Sequence, residues 1–159
     1  MIRIFSTKNF YLLILIVSIF SLLSAIYIEH ILEVRPCTLC LYQRIPYLIS
    51  IFICFFGFNY PNNLFYIFSL ILIFILSSML SGYHVGIENN LFKEFSGCTS
   101  GNLNILNKYD LLKNLKDTMP SCKEVNFKFS GFSLATINLV ISIVITFLSI
   151  KYLINAKNK

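Results

Sequence analysis

Charge is scarce in this chain of 159 residues. Asp, Glu, Lys and Arg make up 13% of it, about half the ~25% of an average soluble domain. Hydrophobic residues reach 57%, and mean hydropathy is +0.75. That shortage excludes a water-soluble globule and a disordered tail. It also excludes a basic nucleic-acid-binding domain, although the formal net charge is +6. Six of the 13 basic residues share the stretch 84–129 with five acids, and most of the others lie near the chain ends. No nucleic-acid partner is expected. Internal repeats and low-complexity linkers are also missing, and the length suits one domain.

What the chain does have is long uncharged runs. Phe10–Ile28 is 19 residues without a charge; as a helix it is ~28 Å long, against a hydrocarbon core of ~30 Å. Arg3 and Lys8 would suit the head of a signal peptide. The run, however, exceeds the usual ~7–15 apolar residues of such a peptide, and no small-x-small cleavage site follows, so a retained span is expected. Ser18, Ser21 and Ser24 fall on nearly one face of it, where small residues permit close helix packing. The run Ile45–Tyr60 carries Pro46 in its first turn, where a missing N–H does no harm. A turn at 59–63 leads into Leu64–Leu80, and Ser130–Ile150 is the last run.

The expected fold is therefore an all-α membrane protein, a single membrane domain over 1–159. It is a four-transmembrane-helix bundle with spans at about 10–28, 44–60, 64–83 and 130–151. A short Cys-x-x-Cys loop at 29–43 and a longer Cys-containing loop at 84–129 then share one face. Arg3, Lys8, Lys151, Lys157 and Lys159 favour cytoplasmic termini, since the six lysines of the long loop stand among five acids. Cysteine placement agrees: Cys37, Cys40, Cys98 and Cys122 all fall on the opposite face, and disulfides persist on the oxidising side of a membrane. Within the long loop, Ile105, Tyr109, Leu112, Leu115 and Met119 recur at helical spacing. They predict a short amphipathic helix lying on the membrane surface or on the end of the bundle.

The chemistry centres on Pro36-Cys37-Thr38-Leu39-Cys40. Cys-x-x-Cys is a redox spacing and also a zinc-ligand spacing. Cys40 stands just before an apolar helix, where free backbone N–H groups stabilise a thiolate. Arg44 follows four residues later, on the same face if the helix has begun, and either lowers the thiol pKa or snorkels to lipid headgroups. Cys98 and Cys122, 24 residues apart, read as a structural staple or as a second pair exchanging with the first through a mixed disulfide. A zinc site built from four cysteines is a third reading. Cys54, inside an apolar run, reads as a small hydrophobe. His84 lies at the end of the third run, on the face of Arg44, while His30, Glu29 and Glu88 read as solvated helix ends.

Together these features resemble the DsbB family, bacterial inner-membrane proteins that regenerate disulfides. The resemblance rests on Cys37-Thr-Leu-Cys40-Leu-Tyr-Gln-Arg44-Ile-Pro-Tyr, on Gly82-Tyr-His-Val-Gly-Ile-Glu88, and on Pro120-Ser-Cys122 followed by Phe129-Ser-Gly-Phe-Ser-Leu-Ala135. A vitamin K epoxide reductase-like bundle also has four spans and Cys-x-x-Cys, but its active pair ends a late helix. Tryptophan is absent here, and Phe127 stands where the family often carries it after the last loop cysteine. The resemblance implies a thiol:quinone oxidoreductase. A reduced, periplasmic DsbA-like thioredoxin-fold oxidase would attack a Cys98–Cys122 disulfide at Cys98. Cys122 would exchange with Cys37, and Cys40 would face a quinone from the membrane pool, ubiquinone or menaquinone. Arg44 would hold the quinone, with His84 near the same ring. No metal is expected. Two rivals stay open: a tetraspan scaffold with structural disulfides, and a metal-binding membrane protein.

Overall fold

A computed structural model describes residues 7–61, 63–93, 121–123, 128–129 and 131–157. Cys98, Phe127 and the amphipathic stretch 105–119 lie outside them. The elements in order are α1 (Thr7–His30), α2 (Thr38–Tyr42), α3 (Ile45–Asn59), α4 (Leu64–Glu88), β1 (Lys128–Phe129), β2 (Phe132–Ser133) and α5 (Leu134–Lys157). Among the described residues, four stretches are long and apolar enough to cross a membrane: Thr7–His30, Thr38–Asn59, Leu64–Glu88 and Leu134–Asn155. The second joins α2 to α3, so the Cys-x-x-Cys segment opens that span as a helical turn.

Local chemistry sets the ends. Proline stands in the first turn of α3. Asn63 caps α4, its side chain accepting from the Phe65 N–H at 3.0 Å. Helix α4 continues through Tyr83 and His84 to Glu88, beyond the last uninterrupted apolar residue. It closes where Asn90 turns to φ 60° and the Leu91 N–H reaches the Gly86 carbonyl at 2.8 Å. Strands β1 and β2 form an antiparallel hairpin with Phe129 opposite Phe132. Its turn needs Gly131 at φ +88°. Ser133 then caps α5, its Oγ accepting from the Thr136 N–H at 3.2 Å.

The helices pack α1 on α3, α3 on α4, and α4 on α5. Phe10, Tyr11, Ile14, Tyr47, Ile67, Leu70, Phe74 and Ile145 form the core, with Cys54 among them, buried as a small hydrophobe. Outside this core the surface is apolar: Phe20 is 71% exposed and Phe65 and Met79 are each 67%. In water such a surface would aggregate; in lipid it is the required solvent-facing side. Because lipid is as apolar as the side chains, burial alone does not hold such helices together. Close approach and polar pairs matter more. Ser18 and Ser50 hydrogen-bond at 2.7 Å across α1 and α3, and Ser77 and Ser142 at 2.9 Å across α4 and α5. Such a bond averages only ~0.6 kcal/mol in a membrane protein. Ser18→Ala is therefore expected to lower stability in detergent by about that much, read from a denaturation midpoint.

α1 and α5 meet at the end of the bundle that carries the termini. There the Phe10 and Tyr152 rings stack with centroids 4.5 Å apart, and the Tyr152 hydroxyl and Thr7 Oγ1 lie 2.7 Å apart.

Candidate active site

The opposite end of the bundle collects the reactive side chains. Cys37 caps α2: its Sγ accepts from the Cys40 N–H at 3.4 Å. One turn of helix brings the two sulfurs to 2.9 Å, and both are free thiols. Cys37, Leu39, Ile87 and Cys122 form a small buried cluster, with Cys40, Leu80 and Tyr83 packed against it. Cys122 is disulfide-bonded. Cys37, Cys40 and Cys54 are free, so its partner lies outside the described residues. The structure thus brings together Cys37, Cys40, Cys122 and His84 from three separate stretches of chain.

His84 is 2% exposed. Its Nε2 lies 3.7 Å from the Cys37 sulfur and 3.8 Å from Glu88 Oε1. The main chain of Cys122 also hydrogen-bonds His84. Its Nδ1 lies 3.0 Å from Gln43 Nε2. Behind Gln43 the polar contacts continue into the bundle. Asn138 Nδ2 donates to Gln43 Oε1 at 3.0 Å and to Ser81 Oγ at 2.7 Å, and the Tyr47 hydroxyl donates to Asn138 Oδ1. With Gln43 donating to Nδ1, the ring carries its proton on Nε2, aimed at the Cys37 sulfur.

The Cys37 thiol is acidified to about 4. The hydrogen bond with Cys40 is the largest cause; His84 adds to it, and burial opposes both. Cys37 is thus the group of the pair held as a thiolate at neutral pH, the reactive form of a cysteine.

Beside the thiols lies a cleft of about 260 Å³. Phe20, Leu22, Ala25 and Ile28 of α1 and Leu134, Ile137 and Ile141 of α5 line it. Cys37, Cys40, Gln43, Arg44 and His84 stand along the same cleft. Its walls are mainly apolar, with a few polar groups at one end. Such a cleft suits a small ring compound with polar atoms on its rim. Arg44, read from sequence as a cation near the thiols, donates to Glu29 Oε2 at 2.6 Å. Glu29 is therefore no ordinary solvated helix end: its side chain is 30% exposed and paired inside the cleft. Glu88 also departs from that reading, with an 11% exposed side chain turned to His84. Ser21 and Ser24 line the cleft, while Ser18 makes the helix contact.

Gln43 and Asn138 were not singled out from sequence. Two signals could have found them. Gln43 follows Cys40 by three residues, on the same helix face. Asn138 is an amide within a membrane-crossing span, and polar groups there are costly and usually functional.

A bundle of four membrane-crossing helices with a dithiol at the head of an apolar cleft defines a membrane protein of thiol chemistry. The sequence profile of DsbB, disulfide bond formation protein DsbB, matches residues 7–151. The chain belongs to the DsbB family. It is also 33% identical over 140 residues to the uncharacterized protein RP370 of Rickettsia prowazekii (strain Madrid E), covering 83% of this chain and 79% of that protein.

Proposed function

We propose that this protein is a thiol:quinone oxidoreductase of the bacterial inner membrane, with both termini in the cytoplasm. It reoxidises a periplasmic DsbA-like thioredoxin-fold oxidase and passes the electrons to a membrane quinone, ubiquinone or menaquinone. The observation that carries this reading is the free Cys37–Cys40 pair, 2.9 Å apart, beside His84 at the head of the apolar cleft.

In this reading Cys98 and Cys122 form the disulfide that the partner's thiolate attacks, at Cys98. The electron pair left on Cys122 as a thiolate then exchanges with a Cys37–Cys40 disulfide. Cys122 packs in the same buried cluster as Cys37, so the exchange needs no long excursion. Attack at Cys37 forms the Cys37–Cys122 bond and breaks Cys37–Cys40, leaving Cys40 as the thiolate. Cys40 lines the cleft, which supports a quinone site beside the electron-rich sulfur.

The cleft fits such a ligand in chemistry: apolar walls for the ring, and Arg44 and His84 as donors for its oxygens. When bound, a quinone supplies a sink for two electrons and two protons. Arg44 holds an oxygen electrostatically once Glu29 shares it, and His84 presents an N–H from the side of the thiols.

The test is quinone absorbance over time, using protein in detergent, a ubiquinone or menaquinone analogue and a reduced DsbA-like dithiol protein. Wild type should consume quinone over many turnovers. Cys37→Ser and Cys40→Ser should fall to the uncatalysed background, because each removes the exchangeable disulfide. Turnover retained in either variant would overturn the assignment. A scaffold with structural disulfides predicts no turnover in any of the three proteins.

A further inference from the structure

The reduced thiols share their corner of the bundle with two groups that thiol exchange does not require together. The Cys37 and Cys40 sulfurs and a ring nitrogen of His84 all lie within 4.8 Å of one another. His84 Nε2 faces Cys37 at 3.7 Å and Glu88 Oε1 at 3.8 Å. Glu88 is a largely buried acid one helical turn beyond His84. Two sulfurs and an imidazole nitrogen thus converge on one point, and the Glu88 carboxylate adjoins it on the imidazole side. We infer that the reduced protein binds a thiophilic divalent cation of the zinc type through Cys37, Cys40, His84 and Glu88, and that this ion blocks thiol exchange.

The spacing suits it. Tetrahedral zinc with its ordinary bond lengths sets sulfur–sulfur edges of ~3.8 Å and sulfur–nitrogen edges of ~3.6 Å. The Cys37–His84 distance already matches, and the sulfurs need to part by less than ~1 Å. A ligating histidine must present a bare Nε2 and donate its Nδ1–H to an orienting acceptor. Gln43 meets that need by turning its amide over, so that Oε1 takes the Nδ1 proton. Asn138 follows by turning its own amide. The carbon framework of both side chains stays in place.

Binding forms two metal–sulfur bonds and releases the remaining thiol protons to water; no electron moves. An oxidised pair offers no thiolate, so the site exists only in the reduced protein. The ion ties up both sulfurs and so halts exchange. This inference rests on the proposed function only in requiring that Cys37 and Cys40 be interconvertible between dithiol and disulfide.

The experiment titrates full-length protein in detergent with Cd²⁺, followed by the ultraviolet thiolate-to-cadmium absorption, then displaces it with Zn²⁺. Reduced wild type should bind one ion per chain, and oxidised wild type none. Gln43→Leu, which removes the orienting partner, should weaken binding about 10–100-fold. His84→Leu should weaken it by more, and Glu88→Gln, which keeps the shape of the side chain, should also weaken it. Cadmium held as tightly by His84→Leu and Glu88→Gln as by wild type would reduce the site to two thiols and overturn the inference. So would the absence of binding to reduced wild type. Neither result depends on quinone turnover, so loss of one reading is distinguishable from loss of the other.

Discussion

Cys37 of the reduced protein should react with iodoacetamide nearly as fast at pH 6 as at pH 8. Only the thiolate is the nucleophile. With its pKa lowered to about 4, Cys37 stays ionised across that interval and loses reactivity only as the pH falls through about 4. A thiol of ordinary pKa, ~8.5, would lose about 80-fold of its thiolate between pH 8 and pH 6. The rate is measured at Cys37 itself by peptide mass spectrometry, since Cys40 and Cys54 are also free. Two substitutions separate the causes. Cys40→Ala removes the largest acidifying contact and should restore much of the ordinary pH dependence. His84→Leu removes the smaller one and should restore less. A wild-type rate that falls with pH like that of an exposed thiol would refute the assignment of Cys37 as the thiolate.

Gly57→Leu should destabilise the bundle far more than any of the buried serine substitutions. A Cβ added at Gly57 would stand 2.5 Å from the Tyr11 ring, so a larger side chain cannot enter without moving that ring. Tyr11 is 1% exposed and packed in the core. Overpacking of this kind costs about 1–3 kcal/mol, several times the ~0.6 kcal/mol of a membrane hydrogen bond. The loss is read as a lower unfolding midpoint in detergent. Gly57 lies near the C-terminal end of α3, away from the thiols at the start of the span. The pH profile of Cys37 alkylation in folded Gly57→Leu should therefore match wild type. A midpoint equal to that of Ser18→Ala would show that the α1–α3 contact is looser than the structure has it.

The parts legible in the sequence are those that need only local information. An uncharged run announces a membrane-crossing helix whatever it packs against, and the four runs do become such helices. Cys37, Cys40 and Arg44 are neighbours along one stretch, so their proximity follows from helical geometry alone. His84 could be brought to the same face by counting spans. The relations among these residues were less accessible. Gln43 meets His84 across 41 residues and Asn138 across 95. Glu29 reaches Arg44 across 15, through the loop that ends α1. Each of these contacts depends on how the helices rotate about their own axes. In a uniformly apolar span nothing periodic fixes that rotation. The same uniformity hid Glu88: ending α4 at the apolar boundary puts the acid in water, whereas the helix carries it one turn further along the buried face.

The joint between the first and last helices has a consequence for how a ligand arrives. Phe10, Thr7 and Tyr152 close it at one end of the bundle. At the other end the same two helices supply facing walls of the cleft. Together they make a seam pinned at its foot and parted at its head, with hydrocarbon along its flank. Under the proposed function, a lipid-soluble quinone would slip in sideways and keep its oily surroundings until it reached the sulfurs. Its abundance is then counted per lipid rather than per litre of water. The proposed thiol partner, by contrast, would arrive through three dimensions of solvent. In that reading the protein joins a planar reservoir to a bulk one, and the supply on each side follows a different law of dilution.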